Sequence, residues 1–181
     1  MPQYGWRIDI SKCTQCRGCI NSCKFENNTT LDINVNYRWI IFEEAGKYPD
    51  PQATFFTLSC NHCQNPACLA SCPVDAISKR QDGIVLIDQE KCIGCRYCIW
   101  ACPYGVPQFN EVTKKVEKCT LCAHRIDAGL LPACVSNCVG RSLAIDADVD
   151  TGTDAPRDFA DRDLTNPQVE FLWNGSKLKF R

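Results

Sequence analysis

Lys91-Cys92-Ile93-Gly94-Cys95-Arg96-Tyr97-Cys98-Ile99-Trp100-Ala101-Cys102-Pro103 is the stretch whose reading decides the fold. It has the form C-x2-C-x2-C-x3-C-P. That spacing wraps three thiolates around one face of a cubane iron–sulfur cluster and sends the fourth cysteine to a second cluster. The same spacing occurs at Cys13, Cys16, Cys19 and Cys23, again behind a lysine, Lys12. Two looser groups alternate with these, Cys60/Cys63/Cys68/Cys72 and Cys119/Cys122/Cys134/Cys138. They share a signature, because Pro66-Ala67-Cys68-x3-Cys72 repeats as Pro132-Ala133-Cys134-x3-Cys138, each behind a C-x2-C. All 16 cysteines of the 181-residue chain thus fall into four groups of four. The order compact, expanded, compact, expanded suggests an internal duplication. At four thiolates per cubane, the count predicts four [4Fe–4S] clusters and a chain built to move electrons.

Two plainer readings compete with this one. A disulfide framework suits an even number of cysteines, but no export signal is present and triplets at i, i+3, i+6 are poorly laid out for pairing. Structural zinc would suit Cys119/Cys122 with Cys134/Cys138, or Cys60/Cys63 beside His62. The compact groups lack the usual zinc spacing, however, and all four groups are alike in layout. Within the iron–sulfur reading, the fourth cysteine of a compact group lies too far along its helix to close the cubane begun by the first three, and reaches a neighbouring one. The second and third groups adjoin in sequence and pair with each other, which leaves the first and fourth to pair across them. The predicted ligand sets are Cys13/Cys16/Cys19/Cys138, Cys119/Cys122/Cys134/Cys23, Cys60/Cys63/Cys68/Cys102 and Cys92/Cys95/Cys98/Cys72.

The fold predicted from this pattern is α+β: two nested bacterial-ferredoxin-like units related by a pseudo-two-fold repeat. Residues 1–30 with 110–145 form the outer unit and 52–109 the inner one. Residues 31–51 are an insertion and 146–181 a tail. Each group should carry a loop followed by a short helix beginning near its third cysteine. Ala76–Ser78 and Ile84–Ile87, turning through Gln81-Asp82-Gly83, read as a hairpin. Strands are expected at Tyr37–Glu43 and Ala53–Ser59, with a loop at Gly46–Pro51.

Apolar residues are 45% of the chain, and the cysteines themselves supply a good part of that. The ordinary core is thin for this length, so the clusters should fill part of the interior and couple metal binding to folding. The net charge of −1 divides into 15 basic and 13 acidic side chains in residues 1–145, against 5 and 8 in residues 146–181. Each oxidised four-thiolate cubane adds roughly −2, which the basic surplus of the body partly offsets. No sustained basic stripe points to nucleic acid. No apolar run approaches the ~20 residues of a bilayer span. Met1–Lys12 has neither a hydrophobic signal region nor a twin arginine. A soluble chain is therefore expected, attached to a membrane or exported only through a partner.

From Cys60-Asn-His-Cys63-Gln-Asn-Pro66-Ala-Cys68 through Cys72-Pro73, Gly83–Asp88 and Lys91–Gly105, the chain resembles the four-cluster electron-transfer subunit of the dimethyl-sulfoxide-reductase family of molybdenum or tungsten enzymes. The likeness covers residues 5–145. It implies a non-catalytic oxidoreductase subunit of anaerobic respiration. At one end it implies a catalytic partner carrying a molybdenum or tungsten bis-pterin cofactor. At the other it implies a membrane anchor that reacts with quinone, or a soluble carrier. In family order the electron path runs from the Cys13 set through the Cys119 and Cys60 sets to the Cys92 set. Two positions depart from the pattern without removing a ligand: Val139 where proline is common, and Val74-Asp75 where Thr-Gly is common. Cys95 stands where some nitrate-reductase relatives have tryptophan and a three-iron cluster, which favours four irons here. A free polyferredoxin shuttle and a maturation scaffold are the rival functions.

Several further residues sit near the ligands. His62 and His124 should pack beside clusters rather than bind iron. Trp100, Tyr97 and Tyr104 read as packing between clusters. The charges of Lys12, Lys91 and Lys118 should slightly favour the reduced state, although exposed lysines are often just solvated. The acidic stretch Asp146–Asp163 should run over the body's surface. Val169–Trp173 and Lys177–Phe180, around Asn174-Gly175, read as a hairpin whose one apolar face must be covered by the chain's own body or by a catalytic partner, with docking on the partner expected.

Overall fold

The computed structural model describes residues 3–29, 35–147, 149–152, 155–156, 159–173 and, for the backbone alone, 176–177. Its helices are short, and four of the five described carry a cysteine. They are α1 (Gly18–Glu26), α2 (Ala67–Ala70), α3 (Tyr97–Ala101), α4 (Ala123–Asp127) and α5 (Ala133–Ser136). Cys19, Cys68, Cys98 and Cys134 stand in the first turns of α1, α2, α3 and α5, where the third cysteine of each group was expected. Helices of four or five residues do not persist alone in water. Here they lean on one another, α1 on α5 and α2 on α3.

Strands frame these helices. β1 (Tyr4–Asp9) pairs antiparallel with β8 (Leu143–Ala147) and parallel with β9 (Val169–Trp173), which in turn pairs with β10 (Ser176–Lys177). Three two-stranded ribbons complete the architecture. They are β2 (Arg38–Lys47) with β3 (Asp50–Ser59), β4 (Ile77–Lys79) with β5 (Val85–Ile87), and β6 (Gln108–Asn110) with β7 (Lys115–Glu117). The fold is thus a mixed α and β structure with few helices. The β4–β5 ribbon is the hairpin predicted between the second and third groups.

The interior is built on Trp6 and Ile8 from β1, Leu143 from β8, Val169 and Phe171 from β9, Phe56 from β3, and Ile84 and Leu121 from loops. Cys19, Cys60, Cys119 and Cys134 belong to this same core, and Cys68 and Cys98 to a smaller one with Ile77, Val85 and Val116. The thin apolar composition is met by placing thiols where side chains would otherwise pack.

Three expectations need correction. No loop occupies Gly46–Pro51, because the pairs Gly46↔Pro51 and Lys47↔Asp50 carry the ribbon up to a two-residue connection at Tyr48-Pro49. Pro51 is tolerated because a two-stranded ribbon has an unpaired edge on each strand. The tail's apolar face is covered at Val169 and Phe171 by this chain's own core rather than left for a partner, while Trp173 stays 43% exposed. Glu170, on the opposite face, is also buried and bonded to Arg7 Nε at 2.7 Å. The hairpin strands are present, whereas the turn Asn174-Gly175, Leu178 and Phe180 lie outside the described residues. Finally, Trp100 and Tyr97 are not packing residues, since they are 86% and 59% exposed.

Candidate metal centres

Each C-x2-C loop reverses through a left-handed residue at the same place. The residue two beyond the first cysteine has positive φ in all four groups: Gln15 (57°), His62 (42°), Gly94 (70°) and Leu121 (54°). Such a residue turns the backbone back on itself, so the two cysteines flanking it can face a common centre. At Gly94 a β-carbon would stand 2.2 Å from the Lys114 carbonyl oxygen, so the site excludes any other residue. The compact groups add a second left-handed residue directly before their helix, Arg17 and Arg96. The expanded groups place theirs after the last cysteine, at Asp75 and Arg141. The next N–H then donates to that cysteine: Ala76 N–H to Cys72 Sγ at 3.3 Å, and Ser142 N–H to Cys138 Sγ at 3.2 Å.

The thiols gather across the groups rather than within them. Cys60, Cys63, Cys68 and Cys102 line one cavity together with Lys118, Tyr104 and Thr165. A second cavity is lined by Cys72, Cys92, Cys95 and Cys98 against Ile77, Ile87 and Val116. Cys13 is surrounded by Cys16, Cys19 and Cys138, and Cys23 by Cys119, Cys122 and Cys134. All 16 cysteines are unbridged. Among the described residues, no three His, Cys, Asp or Glu side chains converge as they would on a single metal ion.

Burial raises the cost of a bare thiolate at several of these cysteines. It pushes Cys63, Cys68 and Cys119 up to about 12 and Cys98 to about 11, with neighbouring thiols adding to the rise. Cys23 is driven higher still, by burial first and then by Cys119 and Cys134. Several groups offset this. Leu121 N–H donates to Cys119 Sγ at 3.4 Å. Asn27 Nδ2, one turn after Cys23, reaches both Cys23 Sγ at 3.6 Å and Cys122 Sγ at 3.7 Å.

The strongest offset comes from Arg38, which lies at the head of β2 and is 1% exposed. Its guanidinium carbon sits 4.2 Å over the Trp6 ring. Its Nη1 donates to Thr57 Oγ1 at 3.2 Å and its Nη2 to Ser59 Oγ at 2.9 Å. Burial opposes its charge, but the thiols of Cys134, Cys119, Cys19 and Cys23 outweigh that and hold its pKa above the ordinary guanidinium value. Nothing in the cysteine pattern singles out Arg38. The available signal was one arginine heading an otherwise apolar run, Trp39-Ile40-Ile41-Phe42.

Lys118 is buried rather than solvated and donates to the carbonyls of Val85 and Cys119. Lys12 and Lys91 are exposed, each ion-paired three residues back along the chain, to Asp9 and Asp88. His62 is fully buried, and its Nδ1 accepts from Val85 N–H at 3.0 Å. Burial, with Lys118, Arg38 and Lys79 nearby, holds its pKa well below the ordinary imidazole value, so the ring is neutral. His124 is largely exposed and paired with Glu26 at 2.8 Å. Tyr104 bonds Thr165 Oγ1 at 2.9 Å.

Residues 51–147 match the 4Fe-4S dicluster domain family. Over 150 residues the chain is 42% identical to the B subunit of anaerobic dimethyl sulfoxide reductase from Escherichia coli, covering 78% of this chain and 72% of that one. The chain belongs to this family of iron–sulfur proteins. It is also 42% identical to the B subunit of tetrathionate reductase from Salmonella typhimurium, over 79% of this chain and 57% of the relative. With the B subunit of selenate reductase from Mesobacillus selenatarsenatis it shares 36% identity, over 76% and 58% respectively. The chain therefore spans a little over half the length of two of these relatives. The family match contains twelve of the cysteines, and Cys13, Cys16, Cys19 and Cys23 precede it.

The residues present fit the [4Fe–4S] clusters that the family implies. The donor sets consist of thiols alone, arranged around cavities, and backbone N–H groups already point at sulfur where a coordinated thiolate would need them.

Proposed function

We propose that this chain is the electron-transfer subunit of a reductase complex and holds four [4Fe–4S] clusters. The ligand sets are Cys13/Cys16/Cys19/Cys138, Cys119/Cys122/Cys134/Cys23, Cys60/Cys63/Cys68/Cys102 and Cys92/Cys95/Cys98/Cys72. One observation carries this reading: cysteines from different groups share one cavity, with Cys102 beside Cys60, Cys63 and Cys68, and Cys72 beside Cys92, Cys95 and Cys98. That exchange of fourth ligands is what the compact spacing calls for. The packing of α1 on α5 and of α2 on α3 supports the nested arrangement, residues 1–30 with 110–145 around 52–109.

Each cluster supplies a one-electron couple when bound. The chain's own residues hold the thiolates in place, exclude water from Cys19, Cys119 and Cys134, and surround them with donors and buried cations. The partners proposed are a catalytic subunit with a molybdenum or tungsten pterin cofactor and, on the other side, a membrane quinone-reactive subunit or a soluble carrier. The names of the relatives, B subunits of dimethyl sulfoxide, tetrathionate and selenate reductases, support a complex of this kind. Among the described residues, no helix is long and apolar enough to cross a membrane.

The test is anaerobic purification from the native cell. A pterin-containing chain in fixed ratio, with about sixteen iron per copy of this chain, is expected. Iron-loaded chain that returns alone would favour a free polyferredoxin.

A further inference from the structure

One buried charge is left unexplained by the ligand sets. Arg38 is an arginine with 1% exposure, and among the described residues no carboxylate pairs with it. Its two hydrogen-bond partners are neutral hydroxyls, those of Thr57 and Ser59, and its buried Nε has none. A charge buried without a counter-charge is costly, and a fold keeps one where something negative belongs beside it. Thiols are what surround it. Cys134, Cys119, Cys19 and Cys23 are the thiols nearest in effect to its charge. A relay also leads outward: Nη1 donates to Thr57 Oγ1, whose hydroxyl stands 3.7 Å from Cys19 Sγ and is left to donate to it. Cys19 belongs to one of the outer ligand sets proposed above, and Cys23, Cys119 and Cys134 to the other.

We propose that Arg38 is the shared internal counter-charge of the two outer centres, setting the reduction potentials of both from the head of β2. The inference rests on the ligand sets under Proposed function. Reducing a centre adds one electron, hence one negative charge, next to a fixed cation that neither moves nor loses its proton. Arg38 therefore favours the reduced state and raises the potential. One side chain facing two centres acts on both at once, and because its charge is fixed the two effects simply superpose. Among the described residues that line the two inner cavities none is a cation common to both; Lys118 lines that of Cys60, Cys63, Cys68 and Cys102 and not that of Cys72, Cys92, Cys95 and Cys98.

The test uses the full chain in its native complex, with iron analysis and a potentiometric titration followed by electron paramagnetic resonance. Wild type carrying eight irons or fewer would overturn the four-centre reading itself, separately from Arg38. With sixteen irons, Arg38→Gln is expected to make reduction of two of the four centres, rather than one, at least tenfold less favourable. That is a fall of about 59 mV for a one-electron couple. The other centres should keep their midpoints. Arg38→Lys, which keeps the charge, should stay near wild type. If Arg38→Gln loses iron while Arg38→Lys keeps it with near-wild-type midpoints, the same conclusion holds. Four unchanged midpoints in iron-replete Arg38→Gln, or a change in only one of them, would overturn the proposal. So would a lysine variant that behaves like the glutamine one, or loss of iron in both, since then shape rather than charge is what the site requires.

Discussion

Cys138 carries the sharpest residue-level consequence. It closes the last turn of the fourth group, yet it lies among Cys13, Cys16 and Cys19, more than a hundred residues earlier. Cys138→Ser is expected to damage the centre of those three cysteines. The set of Cys119, Cys122, Cys134 and Cys23 should keep all its ligands, so resonance spectra should show one altered centre rather than two. Among the lysines, burial decides which matters. Lys118→Met removes a buried cation from the wall of the Cys60/Cys63/Cys68/Cys102 cavity and should lower one midpoint, on the order of 60 mV if reduction becomes tenfold less favourable. Lys91→Met should leave all midpoints nearly in place, because its ammonium is exposed and screened. Equal shifts in the two variants would contradict this ranking.

At the scale of elements, β9 matters most for the chain's integrity. It lies between β1 and β10, and its Val169 and Phe171 are fully buried. Deleting residues 164–181 would strip the edge of β1 and uncover Trp6 and Ile8. The expected outcome is loss of soluble, iron-loaded chain, read by yield and iron content. A stable, iron-replete truncation defective only in partner association would restore the docking role that the structure removes. Phe171→Ala should cost about 3–5 kcal/mol, the usual penalty for emptying a large core position. It should appear as a lower thermal midpoint. The β2–β3 ribbon behaves differently along its length: Phe56 and Leu58 anchor one end, while residues 43 to 53 are largely exposed apart from the partly covered Glu43. Substitutions there, away from the Phe42–Phe55 stack at 5.1 Å, should change stability little.

For the whole molecule, thiols and apolar groups share one interior, so metal content and folding should rise and fall together. Anaerobic analysis should find about sixteen iron and sixteen sulfide per chain, and chelation should expose core tryptophan. Trp6, whose Nε1 donates to the Cys60 carbonyl at 2.9 Å, is the natural fluorescence reporter once Trp39, Trp100 and Trp173 are replaced. An iron-free chain with unchanged emission would break the coupling.

Ligand identity and spacing are local properties, so the sequence alone determined the four groups, the helix that starts at each third cysteine and the β4–β5 hairpin. The recurrence of Pro-Ala-Cys and Lys-Cys made the repeat legible too. Only the tertiary structure decided where charge and cover come from. Arg38 is one polar residue in an apolar run, and nothing local says that its guanidinium will be sealed beside Cys19, Cys119 and Cys134, because those contacts join segments up to about a hundred residues apart. Lys118 and Lys91 each precede a cysteine, yet one is buried against Val85 and the other is solvated. Alternation at Val169, Phe171 and Trp173 predicted an apolar face, and only parallel pairing with β1 settled what covers it. Periodicity fixes which side chains must be hidden; the choice of what hides them depends on distant strands meeting in one register.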